Sequence, residues 1–101
     1  MATYLVLLNF TDKGVGAVRQ TPKRAAAFAA AAAKAGVTIR EQLWCIGPYD
    51  GALVLDAPDD QTVTAVMLGL AAKGNVRTQT MRAFDADQIK GVVSNMPAAA
   101  K

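Results

Sequence analysis

The sequence predicts an α+β domain in the order β-α-β-β-α-β, a four-stranded antiparallel sheet with two helices on one face. Three observations predict it. Segments of strand and helix character alternate in that order between clear stop signals. Two of the four strands are apolar on both faces, whereas the other two are partly polar, which separates central strands from edges. Between the second and third strands lie four turn formers, Gly47, Pro48, Asp50 and Gly51. The glycines permit positive φ and the proline fixes φ near −65°, so the chain reverses sharply there.

Residues 3–10 form the first strand, in which Tyr4, Val6, Leu8 and Phe10 alternate with Leu5 and Leu7. Neither row is polar, so this strand is expected to be covered on both sides. Residues 11–20 are a connection or a short helical turn capped by Thr11 or Asp12, weakened as helix by Gly14 and Gly16. Thr21 and Pro22 then make a start signal, an N-cap followed by proline at the first helical position. That helix runs to about Ala35 and stops at Gly36. Its body is nearly all alanine, with Phe28 as the one large apolar anchor, so its propensity is high and it has little to bury.

Residues 37–46 form the second strand. Ile39, Leu43 and Cys45 share a face with Glu41, and Arg40, Gln42 and Trp44 share the other. Residues 52–55 are the third strand, apolar on both faces. Pro58, Asp59 and Asp60 open the second helix, with carboxylates where the positive end of the helix dipole favours them. Val63, Val66, Met67 and Leu70 fall at i, i+3, i+4 and i+7, a core-facing stripe, and Gly74 ends the helix. Residues 75–84 are the fourth strand, with Val76, Thr78, Thr80, Arg82 and Phe84 opposed to Arg77, Gln79, Met81 and Ala83. Asp85 opens a short helix to about Val93. One domain over residues 1–93 and a frayed tail over 94–101 are expected.

This order is the split β-α-β, ferredoxin-like plan. Right-handed crossovers put strands one and three in the centre and two and four at the edges, in agreement with the face polarities. Two helices cover one face only. The other would expose Leu- and Val-rich surface, so the chain is expected to bury it against a second copy, as a homodimer or a higher homo-oligomer.

Composition narrows the function classes. A chain of 101 residues makes one core, and 52% hydrophobic residues argue against disorder. Eleven basic and eight acidic residues leave a net charge of +3, too slight and dispersed for nucleic acid. The lone Cys45 has no intrachain partner, which fits a reducing compartment, and it reads as a small hydrophobe in a strand better than as a reactive thiol. There is no histidine, which removes the commonest metal ligand and general base together; neither metal nor cofactor is expected. The apolar run 4–8 has no basic leader or cleavage site, and nothing approaches the roughly 20 apolar residues of a membrane span. A cytoplasmic protein without membrane contact is the expectation.

Three constellations are candidates for chemistry. Asp56, Asp59 and Asp60 cluster at a helix start, as do Asp85 and Asp87, and capping explains both better than a cation does. Lys13, Gly14, Gly16, Arg19, Lys23 and Arg24 crowd the approach to the first helix, a possible anion cradle that lacks Walker spacing. Finally, Tyr49 and Asp50 in the turn could join Trp44, Arg40, Thr78, Thr80 and Arg82 to hold a small anionic or apolar ligand. Tyr49, Asp50 and Arg82 are the candidates for proton transfer. Against that stands a plain architectural role, Asp50 capping the turn and Tyr49 packing at a subunit contact.

Gly47-Pro48-Tyr49-Asp50 resembles the signature of the GYD domain family, small bacterial and archaeal proteins of largely undescribed function; here Pro48 stands inside the Gly-Tyr-Asp run. Thr11-Asp12-Lys13-Gly14, Thr21-Pro22-Lys23-Arg24, Ala57-Pro58-Asp59-Asp60 and Gly74-Asn75-Val76-Arg77-Thr78 extend the resemblance in order over roughly residues 1–88. The resemblance implies the fold of the ferredoxin-like dimeric α/β barrels. In such barrels ligands sit between sheet and helices, and some members are cofactor-free monooxygenases or isomerases. Two functions follow as expectations: a non-catalytic oligomeric module that binds a small or anionic ligand or a partner protein, or a small cofactor-free enzyme.

Overall fold

Alternation along β1 (Ala2–Phe10) decides how the middle of the sheet is built. Tyr4, Val6 and Leu8 are buried, whereas Leu5 and Leu7 on the opposite face are only half-buried, as expected of a strand whose two faces meet different neighbours. The computed structural model describes residues 1–98. After β1 come α1 (Asp12–Gly16), a 3-10 turn (Val18–Gln20), α2 (Thr21–Lys34), β2 (Thr38–Trp44), β3 (Gly51–Ala57), α3 (Asp60–Ala72), β4 (Val76–Ala83) and α4 (Ala86–Ser94). The strands make one antiparallel sheet in the order β2-β3-β1-β4. The doubly apolar strands are therefore central and the partly polar ones are the edges, in the ferredoxin-like arrangement.

α2 and α3 cover the face that carries Tyr4, Val6, Leu8, Leu53, Leu55 and Ala57. Phe28 and Ala32 meet it from α2, and Val63 and Met67 from α3, with Val66 and Leu70 partly buried beside them. Burying one large apolar side chain contributes about 1.5–3 kcal/mol, so this one layer supplies most of the fold's stabilisation. Asp59 caps α3, accepting from the Thr62 amide at 2.8 Å. Hydrogen bonding from the Thr62 side chain, and then its amide, holds that carboxyl below its ordinary 3.8.

Tyr4 crosses the layer and donates its hydroxyl to the Asp60 carboxylate in the first turn of α3. That hydrogen bond, then burial, then the negative charge of Asp60 raise the phenol above its ordinary 10.0, against a smaller opposing effect of Arg82. The folded protein thus holds this proton more tightly than the unfolded chain. Its contribution to stability is complete below about pH 10 and falls as pH rises beyond it. Tyr4→Phe is expected to flatten the alkaline decline of the urea midpoint. A decline as steep as that of the wild type would show that this phenol is not coupled to folding.

The fold departs from the expected pattern in four places. Thr21 does not cap α2: it has helical φ and ψ of −54° and −48° because the 3-10 turn runs straight into it, and Gln20 precedes α2 without a side-chain cap. In β2 the register shifts between Ile39 and Glu41, a bulge that moves Ile39 to the core face, opposite Leu55, with Gln42 and Trp44. An extra residue on one strand flips the faces beyond it. Gly51 is not among the glycines with positive φ, which are Gly36, Gly47 and Gly74. It is required by proximity, since a Cβ there would lie 2.9 Å from the Leu43 carbonyl oxygen. Lastly, the closing helix stands away from the core. No residue of α4 is buried, and the radius of gyration is 15.9 Å, against about 13 Å for a compact chain of this length. α4 begins with a capping box, Asp85 and Gln88 exchanging side-chain to backbone bonds at 2.8 and 2.9 Å. Of the tail expected over 94–101, Ser94 closes α4, and residues 99–101 lie outside the described residues.

Candidate functional site

The reversal between β2 and β3 is fastened to the middle of the sheet by Asp50. Its amide donates to the Leu8 carbonyl at 2.9 Å, and its carbonyl accepts from the Cys45 amide at 2.8 Å. Its Oδ2 accepts from the Phe10 amide at 2.8 Å. The aspartate thus caps a neighbouring strand and not its own turn. Beside it, Tyr49 is half-buried and donates to Gln79 Oε1 on β4 at 3.3 Å. Gln79 stands opposite Leu7, so Tyr49 reaches over the sheet face that bears no helix. Asp50→Ala is expected to destabilise by about 1–3 kcal/mol, the cost of leaving the Phe10 amide without a partner. Asp50→Asn, which keeps an acceptor, should cost less than half of that, and Tyr49→Phe less than about 0.5 kcal/mol. Thermal melts of the three variants check the order.

That face is apolar across its centre. Leu5 and Leu7 from β1 stand opposite Val54 and Ala52 of β3 on one side, and opposite Met81 and Gln79 of β4 on the other. Leu43 opposes Ala52 from β2. Leu43 and Met81 are exposed, and the others half-buried or exposed. Charge lies on its edges: Arg40 is 3.6 Å from Asp56, whose carboxylate also accepts from Thr3 at 2.8 Å, and the exposed Glu41 and Arg77 stand opposite Val54 and Asn9. At the hairpin tip Ile46 is fully exposed, whereas the half-exposed Trp44 stands on the helix-bearing side with Gln42. Cys45, expected within the second strand, lies just beyond its end at Trp44 and is exposed.

On the helix side, a cavity of about 110 Å³ lies between α2, α3 and the sheet. Leu8, Leu53, Val76 and Phe28 are its buried lining, and Arg24, Gln42, Trp44 and Lys73 its more exposed lining. A shallower concavity between α3 and β4 is lined by Thr78, Thr80 and Arg77 with Thr64, Met67, Leu68 and Ala71.

The structure does not gather the proposed ligand set into one place. Tyr49 lies over the open face, while Arg82 stands opposite Tyr4 on the helix-bearing face. There the Arg82 guanidinium carbon sits 4.5 Å from the Phe84 ring centroid and 5.7 Å from that of Tyr4, and it donates to the Thr3 carbonyl at 3.0 Å. Trp44 belongs to the cavity, Thr78 and Thr80 to the shallow concavity, and Arg40 to an edge ion pair. The cationic approach to α2 is spent largely on the backbone. Lys13 Nζ donates to the Lys73 carbonyl at 2.8 Å and Arg24 Nη1 to that of Ala17 at 3.0 Å. Gly14 is buried where a Cβ would lie 1.9 Å from the Asn75 carbonyl oxygen. Gly16 has open space around its Cα, and Arg19 and Lys23 are exposed. Of that group only Arg24 lines the cavity. Sequence reasoning missed Leu70, Lys73 and Asn75 as cavity residues; the one signal for the space was the lack of bulk along α2.

The model of the GYD domain family matches residues 4–93. A protein of Thermus thermophilus named "Glutamine synthetase and cystathionine beta-lyase binding protein" is 36% identical over 85 residues, which cover 83% of this chain and 90% of that protein. No solved structure matches the chain. With a family match over nearly its whole length and a relative aligned over most of both chains, the protein belongs to the GYD domain family.

Proposed function

We propose that this protein is a non-catalytic interaction module that pairs with a second copy of itself through the open sheet face and docks on another protein. The observation that carries the reading is the apolar centre of that face, Leu5, Leu7, Ala52, Val54 and Met81, with both core-forming helices on the other side. An uncovered apolar face of this kind marks an interaction surface. A second copy suits it because the same patch meets itself across a two-fold axis. Glu41 and Arg77, which make no ion pair among the described residues, lie on the two edge strands, away from the Leu5 and Leu7 centre. α4, amphipathic and unburied, offers Ile89, Val92 and Val93 to the same partner. An enzyme reading would need Tyr49, Asp50 and Arg82 to converge, and they lie on different faces with their polar atoms engaged within the fold.

The relative named as a binding protein for glutamine synthetase and cystathionine beta-lyase supports an enzyme as that partner. The exposed hairpin tip, Leu43, Trp44 and Ile46, suits such a contact. Biolayer interferometry with purified glutamine synthetase and cystathionine beta-lyase of the same source organism tests it. Saturable micromolar binding to at least one enzyme is expected, weakened tenfold or more by Ile46→Asp. Absence of binding to both would overturn the choice of partner.

A further inference from the structure

The space beneath α2 follows from its composition. Phe28 and Ala32 close the gap to the sheet, but on the N-terminal side of Phe28 the lining residues Ala25 and Ala27 carry only methyl groups, and the cavity of about 110 Å³ opens there. Its floor is apolar and buried while its mouth opens to solvent, so water against the floor has few partners and an apolar body displaces it. An engineered apolar cavity of about 150 Å³ holds benzene, so this one has room for about four or five carbons.

Its polar lining is of one sign. Arg24 and Lys73 both border the space and no carboxylate does. Arg24 is held by the Ala17 carbonyl at 3.0 Å and, at 3.5 Å each, by the Gly14 carbonyl and the Thr21 hydroxyl; of the five N–H donors of a guanidinium, two remain for a ligand. The Lys73 ammonium makes no ion pair among the described residues. Gln42 adds an amide donor.

The geometry points to a binding site for a small amphipathic carboxylate, with a branched body of four or five carbons on the Leu8–Leu53–Val76 floor and its carboxylate between Arg24 and Lys73. A neutral analogue would fill the same space without the charge-assisted bonds, which are about twice as strong as neutral ones. A cation would meet two like charges. The site is on the opposite side of the sheet from the self-association surface, so it stands or falls separately from that reading.

Methyl correlation spectra recorded during titration with isovalerate, isovaleramide and isoamylamine test the inference. Isovalerate is expected to shift the methyl signals of Leu8, Leu53, Leu70 and Val76 saturably, the amide to bind at least tenfold more weakly, and the amine to leave them unmoved. Ala25→Met, which fills the space while keeping a strong helix former, should abolish the shifts at an unchanged melting temperature. Lys73→Gln, on an exposed side chain, should weaken isovalerate about tenfold and leave the amide unaffected, and it decides the matter if Ala25→Met lowers the melting temperature. Absence of isovalerate shifts at these methyls, equal binding of acid and amide, or a stable Ala25→Met that still binds would each overturn the site.

Discussion

Leu7→Asp is expected to yield a folded monomer of 10.5 kDa where the wild type sediments as a larger species. Leu7 lies at the centre of the open face, between Ala52 and Gln79, and in the single chain it is half-buried. A carboxylate there stays solvated in the monomer, so the fold survives. In a two-fold dimer the same carboxylate is buried once from each copy, unpaired, at a cost of about 3 kcal/mol or more. That weakens association at least a hundredfold. Leu68→Asp supplies the control, because Leu68 on α3 is exposed and away from the open face; its assembly should match the wild type. Equal sedimentation of Leu7→Asp and wild type would remove the open face from the interface.

Gly14→Ala is expected to lose about 3 kcal/mol or more, although it adds a single methyl group to a helix. A Cβ at that position falls 1.9 Å from the carbonyl oxygen of Asn75, and backbone on both sides leaves nothing flexible to yield. The same corner carries the Thr11 amide bonded to the Asn75 carbonyl at 3.1 Å and the Lys13 ammonium bonded to the Lys73 carbonyl. Separating α1 from the entry to β4 therefore breaks several ties at once. Since 1 kcal/mol corresponds to about 4–8 °C for a domain of this size, the melting temperature should fall by more than about 12 °C. Gly16→Ala, with open space around it, should change it by less than about 3 °C.

These two glycines show where a sequence is informative and where it is not. The spacing of Tyr4, Val6 and Leu8 against Leu5 and Leu7 encodes a central strand that is apolar on both faces, because alternation is local. The stripe Val63, Val66, Met67 and Leu70 encodes the buried face of α3 in the same way. Gly14 beside Lys13 has the local look of an anion cradle, yet its reason for being glycine is Asn75, sixty-one residues away. The bulge after Ile39 is one residue of register, set by the match of Ile39 with Leu55 and of Gln42 with Leu53, which no pattern within β2 specifies. Asp50 was expected to cap its own turn, and its carboxylate serves the Phe10 amide of another strand. Likewise, the polar residues Tyr49 and Arg82 suggest a shared site only until pairing assigns one to each side of the sheet. The alanines of α2 did announce a helix with little to bury; that the shortage of bulk collects into one cavity beside Trp44 depends on how α2 lies on the sheet.

Isotope-filtered NOE spectra on a mixture of labelled and unlabelled protein test self-association through the open face most directly. Intermolecular contacts are expected from the methyl groups of Leu5, Leu7 and Val54, and none from the core methyls of Val6 or Leu55. A mixture with no intermolecular contacts at any of these methyls, or with contacts only through the outer surface of α2 and α3, would contradict it.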